Sequence, residues 1–194
     1  GSNGVDSEAY SHVTIEDSEF NDSQLYAGAS VNIDEVSTFS VARTQVTVNA
    51  QSKSYCLWVR HQETVTVADS LFTAGANSQG AGILLTAGAL PGGVQSLTLS
   101  GTTTVTRAHS FSRGAIFLEV ATGNTASLVF KDSVRVTGNT ADTTDGSGLA
   151  VDVTGGGTFT VTGASGRVVG NTPDPQCSVG SSGTYTPVAN CVYP

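Results

Sequence analysis

Along most of this chain, apolar residues alternate with polar ones at period two over short runs, and each run closes on Gly, Asn, Asp or Ser. Period two places alternate side chains on opposite faces of a strand. No window carries apolar residues at i, i+3, i+4 and i+7 for long enough to predict a helix, so the chain reads as all-β. The clearest unit runs from Leu128 to Val153. It has an apolar strand at Leu128 and Phe130, a polar turn at Asp132-Ser133 and a second strand through Val134 and Val136. A turn at Gly138-Asn139 then leads to a third strand with Leu149, Val151 and Val153 on one face.

The unit recurs. Its first strand has counterparts at Val13, Phe39, Val65, Leu97 and Phe159, and its third at Val31/Ile33, Leu57/Val59, Ile83/Leu85 and Ile116/Leu118. Both registers step by 26 residues early in the chain and by 31 to 33 later, a period that marks stacked repeats. A sandwich or barrel has no reason to place like under like in this way. The expectation is a parallel β-helix of about six coils forming one domain over residues 1–194. Residues 1–12 make an N-terminal segment, 13–172 the coils and 173–194 a C-terminal cap. With strands ~4.8 Å apart the stack is roughly 30 Å long. Its inward Val, Leu, Ile and Phe form columns that no single coil could bury alone.

The third strands read GAGIL (Gly80 to Leu84), RGAIFL (Arg113 to Leu118) and GSGLAV (Gly146 to Val151), and the turns before them VTGN (Val136 to Asn139) and VVGN (Val168 to Asn171). This wording resembles the GGA(I/L) and FxxN repeats of the polymorphic outer-membrane protein family and, more broadly, right-handed parallel β-helix proteins of the pectate-lyase type. The resemblance covers the third to sixth coils, and the first two match in spacing only. It implies a right-handed helix acting as a secreted or surface-exposed, adhesin-like module, while its pectate-lyase side implies polysaccharide cleavage.

Charge narrows the partners. The net charge is −8, and half of the sixteen acids fall between Asp6 and Glu35, before the first base at Arg43. Without a basic stripe, nucleic acid is not an expected partner. No run of ~18 apolar residues is present to insert into a membrane. The chain opens Gly1-Ser2 and contains no Met, which reads as a segment taken from a longer protein. Its short polar start either covers the first coil or continues from further coils upstream.

Three cysteines leave an odd one. Cys177 and Cys191 flank the loop CSVGSSGTYTPVANC where the repeat breaks down. A bridge there closes about fifteen residues, contributes roughly 3 kcal/mol and implies an oxidising compartment. Cys56 aligns with the small residues Ser30, Gly82, Ala115 and Gly148 and reads as a packed thiol. Nothing near these cysteines is spaced as a metal site, and no cofactor is expected.

Three chemistries compete for the outer surface. If Ile83, Ile116 and Leu149 point in, then Asn32, Trp58, Leu84, Phe117 and Ala150 form an outward column, with Asp34, Arg60, Thr86, Glu119 and Asp152 beside it. An exposed apolar strip of this kind would serve as a glycan- or protein-binding face through Trp58, Leu84, Phe117, Arg60 and Glu119, unless a neighbouring loop covers it. A polysaccharide lyase or hydrolase would instead centre on Arg107, His109 and Arg113, with Glu119, Asp142 and Asp145 as neighbouring acids. The third reading is an ice-binding face on the first-strand column Thr14, Ser40, Thr66, Thr98, Val129 and Thr160. There the adjoining column, Glu16, Ala42, Ala68, Ser100, Lys131 and Thr162, is too irregular for a second rank. Asp17, Arg43, Asp69 and Asp132 share one turn position and predict turn capping with an ion-pair ladder from Asp17 through Arg43 to Asp69.

Overall fold

The computed structural model describes residues 5–8, 12–22, 28–34, 38–48, 54–60, 64–74, 82–86, 93–110, 114–142, 146–163, 167–181 and 184–185. Every strand pairing among them is parallel, and each turn of the chain adds one strand to the first and second sheets and, through the fifth turn, to the third. The first sheet stacks Val5–Glu8, Gly28–Asp34, Ser54–Arg60, Ile83–Thr86, Ile116–Val120, Leu149–Val153 and Cys177–Ser181. The second stacks His12–Glu16, Thr38–Ala42, Thr64–Ala68, Val94–Ser100, Thr125–Phe130, Thr158–Thr162 and Thr184–Tyr185. The third stacks Glu19–Asp22, Gln45–Val48, Leu71–Ala74, Thr104–Thr106 and Arg135–Thr137. A short fourth ladder pairs His109–Ser110 with Thr140–Ala141. The result is a β-solenoid of about six coils.

The period-two pattern explains the core. Leu57, Ile83, Ile116 and Leu149 lie in one unbroken register on the first sheet and are fully buried. Phe39, Val65, Leu97 and Leu128 do the same on the second, and Val46, Phe72, Val105 and Val136 on the third. These columns meet in one continuous cluster. Each side chain packs on its own counterpart one coil away, which is how a repeat too thin to hold a core alone becomes stable.

One expectation needs correction. In the sixth coil, Leu128 pairs with Val161 and Ala126 with Phe159, two residues away from the expected match of Leu128 with Phe159. A slip of two leaves the inward face unchanged, and both Phe159 and Val161 stay buried. Parallel stacking also extends toward both ends. Val5–Glu8 and Cys177–Ser181 add rungs to the first sheet, and Thr184–Tyr185 adds one to the second. The small residues before the third strands are set by packing. A Cβ on Gly82 would stand 2.6 Å from Val105 Cγ1, and one on Gly148 would stand 2.4 Å from Val168 Cγ1.

Corners are held by polar ladders inside the coil. Asn139 Nδ2 donates to Val105 O at 3.1 Å and to Asn171 Oδ1 at 2.8 Å, while its Oδ1 accepts from the Ala108 amide at 2.9 Å. Asn171 passes the pattern on, its amide and Nδ2 donating to Gln176 Oε1 at 2.8 and 2.9 Å. At this corner the left-handed backbone falls on Arg107, Gly138 and Gly170. The asparagines that follow the glycines therefore serve as internal hydrogen-bonding groups. At another corner Thr44, Ser70 and Thr103, all buried, link successive coils: the Thr44 amide donates to Ser70 Oγ, and the Ser70 amide to Thr103 Oγ1. Such groups satisfy backbone that would otherwise be buried without partners.

Candidate functional site

The outward side of the first sheet has the predicted register: Asn32, Trp58, Leu84, Phe117 and Ala150 stand rung by rung, and Asp34, Arg60, Thr86, Glu119 and Asp152 beside them. Its accessibility differs from that of an open platform. Leu84 and Phe117 are each 6% exposed and form, with Ala150, a second apolar cluster outside the core. Tyr55 and Trp58, both half-buried, pack on its edge with their rings 5.7 Å apart. Arg60 lies 4.7 Å from the centre of the Trp58 ring and pairs with Asp34 at 3.1 Å, so the cation is held between an aromatic face and a carboxylate. The Trp58 indole N–H is buried with no hydrogen-bond partner among the described residues. Glu119 is half-buried between Thr86 and Asp152.

Of the residues expected for catalysis, Arg107 is exposed at the corner with φ 58°. His109 contacts Thr140 Oγ1 through Nδ1 at 2.7 Å and Asp142 Oδ1 through Nε2 at 3.3 Å. Arg113 and Asp145 lie outside the described residues, and Glu119 stands on the first sheet, separate from this ladder. Among the described residues no group of three or more His, Cys, Asp or Glu could hold a metal ion. Cys177 is buried at the start of the last first-sheet strand, Cys56 is buried and outside any disulfide, and Cys191 lies outside the described residues.

The shared turn position is real, but its bonding is not the predicted ladder. Asp17, Arg43, Asp69 and Asp132 all adopt the left-handed region, with φ between 48° and 54°. Arg43 binds Asp17 through Nε at 2.7 Å and Nη2 at 2.8 Å, and reaches Glu16 at 3.2 Å. Asp69 accepts instead from the Thr102 amide at 2.9 Å, and Asp132 from the Gly101 amide at 3.0 Å. Asp is among the few non-Gly residues that visit this region readily; Arg is not, and the two-pronged contact with Asp17 offsets its strain. The Arg43 guanidinium holds the Asp17 carboxyl below its ordinary range, through its hydrogen bonds first and its charge second.

The second sheet carries a feature the sequence reading missed. The column Thr14, Ser40, Thr66, Thr98 and Val129 ends on Thr162, because the two-residue slip moves Thr160 to the neighbouring column. That neighbour is not the irregular one beginning at Glu16. On the other side of the Thr14 column stand His12, Thr38, Thr64, Ser96, Ser127 and Thr160, again in unbroken register. Ten of the twelve positions are Thr or Ser, so the face has two regular ranks rather than one. None of the twelve is buried. Hydroxyls on successive rungs engage each other, Ser40 Oγ donating to Thr14 Oγ1 at 3.0 Å. The irregular column beyond holds Glu16 and Lys131 near the ends but Ala42, Ala68 and Ser100 in the middle, leaving the centre uncharged.

Comparison of the chain with models of known protein families, with curated proteins and with solved structures finds no match.

Proposed function

We propose that the protein is a secreted or cell-surface recognition module, a rigid rod that adheres to an extended, repeating surface through the outward face of its second sheet. The observation that carries this reading is the double rank of short hydroxyl side chains, repeated without slip over six rungs and open to solvent. A ligand with its own repeat would meet the same group at every rung, so weak contacts would add along the rod. The Trp58 strip is the less apt platform, since Leu84, Phe117 and Ala150 are already buried and Trp58 itself is half-buried. Right-handed winding belongs to the same reading, because crossovers between parallel strands take that hand in about 98% of cases. So does a Cys177–Cys191 bridge. Its support is that Cys56, the other cysteine among the described residues, stands outside any disulfide, which leaves Cys191 as the partner for Cys177.

Adsorption to a panel of insoluble surfaces (crystalline cellulose, chitin and ice) tests this. Binding to at least one, lost in Thr66→Tyr and kept in Trp58→Ala, is the expected result. Adsorption to none, or loss in Trp58→Ala alone, overturns it.

One observation favours a second reading, a polysaccharide-active enzyme. Asp142 at Nε2 would leave Nδ1 of His109 to accept the proton of Thr140, an arrangement that activates a hydroxyl. Release of reducing or unsaturated sugar from acidic polysaccharides, abolished by His109→Ala, would support it; no release would remove it.

A further inference from the structure

We infer that the surface this face takes is ice, an inference that rests on reading the second sheet as the binding face. The two ranks define a rectangular array. Successive rungs are ~4.8 Å apart, and the ranks, two residues apart on each strand, are separated by about 6.6 Å. These repeats are of the same size as the oxygen spacings on faces of hexagonal ice. The register is one-to-one through all five pairings of the six rungs from His12–Glu16 to Thr158–Thr162, so the array keeps its spacing over its length.

The chemistry of the positions fits water better than other repeating ligands. Each Thr offers a hydroxyl to hold a water and a methyl to shape the space beside it. Val129, the one exception in its rank, has the shape of Thr and keeps the methyl in place. Contacts between rungs, such as Thr158 Oγ1 to Thr125 Oγ1 at 2.9 Å beside the array, limit hydroxyl rotation and so hold neighbouring waters in a fixed pattern. Sugars are gripped by aromatic stacking together with directional polar groups, and the array contains no aromatic residue other than the His12 ring at its end. Protein interfaces centre on large buried anchors. Among the described residues of the columns flanking the array, Val94, 61% exposed at the margin, is the one large exposed apolar side chain. An uncharged, short and periodic face matches a lattice that itself has neither charge nor pockets.

The third sheet supplies an internal control. Thr47, Thr73, Thr106 and Thr137 form a Thr column there, but the rank beside it is Gln45, Leu71, Thr104 and Arg135, which breaks the repeat.

The experiment is partition of the full chain into a slowly growing ice front, with ice-crystal shaping observed alongside. The unmodified protein is expected to enter the ice and facet the crystals. Thr66→Tyr and Thr98→Tyr should each lower partition at least tenfold, and Thr73→Tyr on the third sheet should leave it unchanged, all three giving circular dichroism and melting profiles like the parent. Exclusion of the unmodified protein from ice overturns the inference. If it nevertheless adsorbs to cellulose or chitin in a Thr66-dependent way, the recognition face stands without ice. If it adsorbs to nothing, both fall. Equal loss in Thr73→Tyr would also overturn it, because a face with no second rank would then bind as well.

Discussion

On the outward face of the first sheet, Leu84, Phe117 and Ala150 are 6%, 6% and 4% exposed; on the second sheet, in the same three coils, Thr98, Val129 and Thr162 remain half-exposed or exposed. Backbone pairing is alike on both, parallel and one residue to one. What differs is side-chain chemistry. Apolar surface of this size gains about 25 cal/mol for each Å² removed from water, so a strip of Leu, Phe and Trp is driven to find cover. Short hydroxyls gain little from burial and stay open. This solenoid therefore has outer faces of two kinds, one that contributes to stability and one left open to solvent.

The largest break in this comparison comes from Phe117→Ala. Removing a ring from the covered cluster is expected to cost about 3 kcal/mol in urea unfolding, while Thr98→Ala on the open face stays within about 0.5 kcal/mol. Similar losses at both positions would mean the faces do not differ.

Polar groups show the same contrast between inside and outside. Asn171→Leu removes the acceptor of the Asn139 amide and side chain and the donor to Val136 O. A loss of about 2 to 3 kcal/mol is expected, against almost none for Ser127→Ala on the open face.

Trp58→Phe is a finer probe of the covered side. The indole N–H has no hydrogen bond to lose among the described residues, so the change should stay near 1 kcal/mol or below. A larger cost would mean that the Arg60 contact, rather than apolar cover, holds this edge.

The smallest effect belongs to the exposed corner. Because Arg43 lowers the Asp17 pKa in the folded state, the pair's contribution is complete above the ordinary carboxylate range and fades as pH falls through the lowered value. Both partners are well exposed, and solvent screens such pairs. Arg43→Ala should therefore melt slightly lower than the parent at neutral pH, and the gap should close in acid. A gap that widened in acid would reverse the assigned sign.

Much of this was legible in the chain. Alternating apolar residues at Val31, Leu57, Ile83, Ile116 and Leu149 define inward columns in any stacked arrangement, because a strand has only two faces and like must pack on like. The outward neighbours Trp58, Leu84 and Phe117 followed from the same parity. Parity is also why the error of two residues at Phe159 did no harm to the core.

The tertiary structure decided what parity leaves open. It left Leu84 and Phe117 almost inaccessible to solvent, which the parity of the strand does not decide. It turned Asn139 and Asn171 from apparent turn residues into an internal ladder, because the preceding glycines take the left-handed backbone. It sent Asp69 to the Thr102 amide rather than to Arg43, because one guanidinium is already engaged by Asp17 and Glu16. The second rank of the array, from Thr38 to Thr160, needed the true pairing of the last coil and a comparison across every rung at once. Period and parity are properties of the local chain, whereas the identity of each neighbour, and therefore the pattern a surface presents, is fixed only when the coils stack.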